Sequence, residues 1–270
     1  MTRRGRRIRR TLFSLLALYV AGGIALYLLQ DKLLFHPEPL APDHRFRIRQ
    51  PFREWNIERG GRNLNVLQFT TARPFRGIVL YFHGNMRNAE RYAPVMPVFT
   101  DLGYEVWMPD YPGFGKSTGQ RTEEAMYADA HYLYEQAVQH YGPENIVIYG
   151  RSIGTGVAAW LAARAPSRRL LLETPYYSID ALARSYFPFY PTLPGTRYAF
   201  PIYRYLKTVK APVTLFHGTR DEVVPYRQAR RLHRENPGTE LITVPGGMHN
   251  NLFRYGQVTD HIRRLLGPEN

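Results

Sequence analysis

Gly150-Arg151-Ser152-Ile153-Gly154 is the segment with the clearest chemical capacity. It lies between a β-rich run at residues 145–149 and a small-residue helical run at 153–164, so the chain passes from strand to helix through one sharp turn with serine at its apex. Such a turn needs small residues on both sides, because side chains at 150 and 154 would collide with the neighbouring helix and strand. It lifts the hydroxyl above a sheet edge and aims a helix N-terminus at the place where negative charge would develop. The chemistry implied is nucleophilic attack by Ser152.

A serine hydroxyl is too weakly acidic to attack unaided, so a histidine base and a carboxylate to orient it are required downstream. Asp221 follows the β-rich run 212–216 in His217-Gly218-Thr219-Arg220-Asp221-Glu222, and His249 follows the run 240–244 in Pro245-Gly246-Gly247-Met248-His249. Each falls in a loop after a strand, the edge where ligands bind in open parallel sheets. Glu222 is the rival acid; Asp221 is preferred because it comes first after the turn. His233 and His261 fall inside helical patterns and read as solvated, which leaves His249 as the base. Stabilising an oxyanion takes two backbone donors. One is the Ile153 amide, next to the nucleophile; the other is assigned to Asn85 in the His83-Gly84-Asn85 loop, with His83 as a brace for that loop. Arg151 reads as the partner of a nearby acid rather than as an anion-binding group.

These residues need a scaffold, and the sequence outlines one. Residues 54–58 and 64–69 read as an antiparallel pair joined by Gly60-Gly61, and 77–82 is a near-continuous apolar run suited to a strand buried on both faces. Strands at 104–108, 145–149, 169–172, 212–216 and 240–244 then alternate with helices at 122–141, 153–164, 226–235 and 252–266. Thr122 is the expected N-cap of the first of these, with Glu123 and Glu124 in its opening turn. The alternation predicts an α/β fold, a mostly parallel central sheet with helices on both faces. Residues 176–205 break it: ten aromatics and prolines at 188, 191, 194 and 201 predict an inserted cap over the sheet's carboxyl edge, a wall for an apolar pocket.

The 270 residues are enough for one good-sized core, and one catalytic domain is expected at 51–270. Cysteine is absent, which excludes disulfides, thiolate metal sites and a cysteine nucleophile. The formal charge is +14, but Arg3, Arg4, Arg6, Arg7, Arg9 and Arg10 crowd the first ten residues and leave +8 for the rest. Residues 12–29 carry no charge, and at 1.5 Å per residue they span about 27 Å, close to the hydrocarbon thickness of a bilayer. Residues 1–30 therefore read as a basic N-terminus and an uncleaved signal anchor crossing the membrane at 12–29. A cleaved signal peptide is the competing reading, but the apolar run continues past the small-residue site Gly23-Ile24-Ala25. Positive charge before the span predicts a cytoplasmic N-terminus and a periplasmic or otherwise extracytoplasmic catalytic domain. Proline-rich residues 31–50 are expected to be a tether. Topology accounts for the arginine cluster, so nucleic acid is not an expected partner.

His83-Gly84-Asn85, Asp110-Tyr111-Pro112-Gly113-Phe114-Gly115-Lys116-Ser117, the Gly150–Gly154 turn, Asp221 and His249 follow one another in a fixed order. Together they resemble the α/β-hydrolase superfamily, in particular its serine-aminopeptidase-like or abhydrolase-domain branch with an N-terminal membrane anchor, over about residues 60–265. The resemblance implies hydrolysis of esters, thioesters, lipids or peptides by a Ser-His-Asp triad, with no metal or organic cofactor, and a structural role for Asp110. Met86-Arg87 departs from it, since family members often carry a small residue and glycine after His-Gly-Asn. The leading expectation is a serine hydrolase cleaving an acyl ester or related acyl bond in a small-molecule substrate, a lipid or other hydrophobic ester. A peptidase or protein-acyl thioesterase is the alternative, and a catalytically silent membrane scaffold is a third, against which the intact residue set counts.

Overall fold

The computed structural model describes residues 3–189 and 197–268. Among them, eight strands build one sheet: β1 (Phe52–Arg59), β2 (Arg62–Phe69), β3 (Gly77–Phe82), β4 (Tyr104–Pro109), β5 (Ile146–Arg151), β6 (Arg169–Glu173), β7 (Val213–Gly218) and β8 (Thr239–Val244). Their spatial order is β8-β7-β6-β5-β3-β4-β2-β1. The β1–β2 hairpin closes through Gly60 and Gly61 at φ +56° and +76°, a left-handed turn that glycine enters without a Cβ penalty. β2 is antiparallel to both neighbours, and the remaining pairs are parallel.

Six described helices of eight residues or more accompany the sheet: α1 (Arg3–Leu34), α2 (Glu123–His140), α3 (Gly154–Ala162), α4 (Ile179–Tyr186), α5 (Arg227–Glu235) and α6 (Gly256–Leu266). Alternation along the strands sorts the core. Ile78, Leu80, Ile146 and Ile148 face the cluster that holds α2 and α3, whereas Val79, Tyr81, Val147 and Tyr149 face the one that holds α6. Thr122 Oγ1 caps α2 by accepting from the Ala125 amide at 3.1 Å. The closing segment at 252–266 is not one helix. It makes a single 3-10 turn at Leu252–Arg254, passes through Tyr255 in an extended conformation, and starts α6 at Gly256.

The tether expected at 31–50 is largely part of the folded domain. α1 continues to Leu34, Phe35 is buried with its ring against Phe114 and Tyr198, and His36–Pro37 pairs in parallel with Met86–Arg87. Proline does stop the helix, but it does not prevent this pairing. The amides of His36, Glu38 and Leu40 donate to the carbonyls of Asn85, Arg87 and Gly115, so Pro37 and Pro39 fall at the alternate positions where no donor is needed.

Of the segment expected as a cap, α4 and the return through Arg197 to Tyr205 are described, and residues 190–196 lie outside the described residues. Ser178 Oγ caps α4 at the Ala181 amide. The buried Glu123 carboxylate receives the amides of Ala199 and Phe200, tying the returning chain to the start of α2.

Candidate active site

β3 and β5 are neighbours with Phe82 opposite Gly150, so the loops leaving their carboxyl ends emerge side by side. Ser152 sits at φ +51°, a strained value for a residue with a Cβ. The surroundings hold it there: its amide donates to Glu173 O, and its carbonyl accepts from the Thr155 amide, both at 2.9 Å. A Cβ on Gly150 would lie 2.6 Å from the Gly154 carbonyl oxygen, and one on Gly154 would strike the Phe82 and His83 carbonyls. The flanking glycines are thus a steric requirement.

His249 Nε2 lies 2.9 Å from Ser152 Oγ, and His249 Nδ1 lies 2.8 and 3.1 Å from the two oxygens of Asp221. With Nδ1–H donating to the carboxylate, Nε2 is left to accept the serine proton. Asp221 also receives the amides of Val223 and Val224 at 2.9 and 2.7 Å, in the loop after β7. Burial pushes its carboxyl up, but hydrogen bonds from His217 and His249 outweigh this and hold it well below the usual carboxylate range. Glu222, the rival acid, accepts from the His249 backbone amide at 3.4 Å and is not bonded to the ring.

His217 is the contributor to this site that sequence reading passed over. Its ring is fully buried, with Nε2 at 2.8 Å from Val224 O and 3.3 Å from Asp221 Oδ2. A signal existed: His217 ends an apolar strand four residues before the acid, and a histidine closing a buried strand needs a polar partner nearby.

The proposed oxyanion donors, Ile153 and Asn85, face the same space. Neither amide donates to another described residue. The Asn85 side chain has a different task, since its Nδ2 donates to Leu34 O at the end of α1 at 2.8 Å. Arg87 occupies φ +62°, the left-handed region that favours glycine, and an ion pair with Glu38 and the pairing to His36–Pro37 keep it there. His83 braces the loop with Nδ1 at 2.7 Å from Gly84 O and Nε2 beside the buried Asp110, which accepts the Ala89 amide.

Arg151 turns away from the pocket. It lies 3.6 Å from the fully buried Glu173, within hydrogen-bond reach of Asn250 and over the Tyr92 ring. His261, expected to be solvated, is instead buried and bonded to Glu240 at 2.9 Å, because α6 turns that face onto the sheet edge. His233 is half-buried beside Thr239.

Above Ser152 opens a cavity of about 310 Å³, at the small end of ligand pockets. Ile153 and Asn85 join the serine at its floor, α4 supplies Leu182 and Tyr186 on one side, and α1 supplies Leu26, Leu33 and Leu34 on the other. Among the described residues, no cluster of His, Asp or Glu has metal-binding geometry.

Residues 77–170 match the family model described as the alpha/beta hydrolase fold. Over 224 residues, 80% of this chain and 69% of the other, the protein is 29% identical to "Alpha/beta hydrolase domain-containing protein 17C" of Xenopus tropicalis. Over 177 residues, 58% of this chain and 46% of the other, it is 33% identical to "Lysophosphatidylserine lipase ABHD12" of Danio rerio. Among solved structures, the Pyrococcus furiosus esterase Pf2001 superposes with a TM-score of 0.65 at 20% identity, covering 87% of this chain and 98% of that one. At that identity the structural likeness speaks for the fold.

Proposed function

The chain is an α/β-hydrolase of the abhydrolase-domain branch, and on that premise we propose that it cleaves hydrophobic acyl esters through Ser152, His249 and Asp221. The observation that carries this reading is the continuous hydrogen-bond chain from Ser152 Oγ through both nitrogens of His249 to Asp221, beneath an apolar cavity. Ser152 Oγ attacks the ester carbonyl as its proton passes to His249 Nε2, and the carbonyl oxygen takes up negative charge between the Ile153 and Asn85 amides. Collapse breaks the bond to the alcohol, which leaves with the proton held by His249. Water then repeats the sequence on the acyl-serine and releases the acid. Asp221 stays ionised throughout and fixes the ring.

Two observations support the substrate class: one relative is named as a lysophosphatidylserine lipase, and the pocket of this chain is lined mainly by aliphatic and aromatic side chains. Because thioesters use the same machinery, comparing acyl p-nitrophenyl esters with acyl thioesters of equal chain length separates the two. We further propose that α1, the one described helix long and apolar enough to cross a membrane, anchors the protein with the domain on the extracytoplasmic side. Ser152→Ala is expected to lower p-nitrophenyl ester hydrolysis by about 10⁴-fold or more and to abolish fluorophosphonate labelling. Wild-type turnover by that variant would overturn the assignment.

A further inference from the structure

The pocket has an unusual wall. Leu26 belongs to the uncharged run of α1, and Leu33 and Leu34 continue the same helix along the cavity, so the proposed membrane-crossing element itself forms one side of the candidate active site. The opposite side is α4, whose last turn leads to Tyr186, Phe187 and Phe189, all exposed, with Phe189 82% accessible. Aromatic surface of this kind suits an acyl or interfacial layer better than water.

The level of these parts along α1 is set by hydrogen bonds and an ion pair. Tyr19 donates its hydroxyl proton to Phe189 O at 3.0 Å, although Tyr19 lies ten residues, about 15 Å, inside the uncharged run counted from Leu29. Phe189 therefore meets α1 at a level that, on the proposed span, lies in the hydrocarbon. At the other end, Leu34 O accepts from Asn85, Arg197 pairs with Asp31, and Tyr198 bonds Asp31, which locks the exit of α1 to the catalytic loop and to the cap's return. From Leu29 to Leu34 the helix rises about 7.5 Å, comparable with a headgroup layer roughly 5–8 Å deep. The ester of a bilayer amphiphile lies at that boundary, with its acyl chain on the hydrocarbon side.

We propose that α1 and α4 form a lateral portal, through which the acyl chain of a membrane-resident ester enters from the bilayer and reaches Ser152 without crossing water. Leu26 and Leu33 are its specificity-determining residues, and Phe189 is the wedge that opens the leaflet beside it. This rests on the esterase reading, and the two fail in different ways.

The test uses the full-length protein reconstituted in phosphatidylcholine vesicles, with a dodecanoyl ester embedded in the same vesicles and p-nitrophenyl acetate in solution as paired substrates. Leu26→Trp, which fills the portal, is expected to lower the ratio of dodecanoyl to acetyl kcat/KM at least tenfold, about what lost contact with two methylenes is worth. Phe189→Asp is expected to lower the same ratio for vesicle-borne substrate and to restore it when the dodecanoyl ester is delivered in detergent micelles. A melting temperature at the wild-type level certifies each variant as folded; Leu33→Trp replaces Leu26→Trp if the latter does not fold. Ratios unchanged in the portal and wedge variants, with hydrolysis still dependent on Ser152, would overturn the portal and leave the esterase standing. Hydrolysis independent of Ser152 would overturn the esterase reading itself.

Discussion

Asp221 is held by two imidazoles and two amides, which is more than is needed to orient a single ring. The second imidazole, His217, shields the carboxylate from solvent and keeps it charged as it is buried. Because the folded carboxyl lies below its ordinary range, it takes up its proton at lower pH than the unfolded chain does. Its contribution to stability is therefore whole above the unfolded value near 3.9 and is lost as the pH falls toward the folded value. The gap in melting temperature between wild type and Asp221→Asn should be constant from pH 7 to about pH 5 and shrink below about pH 4. The same variant presents the wrong tautomer of His249 to Ser152, so kcat should fall by about 10⁴-fold while KM stays within about twofold. Asn85 gives a sharper prediction. If its amide is the oxyanion donor, Asn85→Ala keeps that donor and costs less than about tenfold in kcat, whereas a side-chain donor would cost about 10²- to 10³-fold.

Two elements set the site's geometry, the strand-turn-helix around Ser152 and the strap formed by residues 34–40. In the first, both glycines abut backbone, which cannot move aside as a flexible side chain would. Gly154→Ala is expected to destabilise the fold by more than about 3 kcal/mol in denaturant titration. In the second, the strap substitutes for a glycine: hydrogen bonds to Asn85 and Arg87 keep the loop in a shape that Arg87 would not adopt alone. Arg87→Gly relieves left-handed strain but loses an exposed ion pair and adds freedom to the unfolded chain. These effects are of similar size, so its stability should match wild type within about 1 kcal/mol. Strand and helix positions were readable because apolar period and caps are local properties, as the fully buried β3 and the Thr122 cap illustrate. The strap was not readable, because its partners lie about fifty residues away and proline argued against pairing.

At the scale of the whole molecule, the arrangement predicts topology as well as chemistry. A membrane-impermeant fluorophosphonate should label Ser152 in cells whose inner membrane is intact, and labelling only after that membrane is opened would reverse the orientation. The parallel sheet, the serine turn and the order of Ser152, Asp221 and His249 were determined by the sequence by itself, since each depends on residue type, local period and the position of a loop after a strand. Which side chains meet was decided by the tertiary structure. His217 joins Asp221, His261 turns inward to Glu240, Asn85 caps α1, and Leu26 comes to the same cavity as Ser152 across more than a hundred residues of chain. Periodicity can mark a helix as apolar, but only the packed sheet and cap determine what that apolar face covers, and here it is the candidate active site.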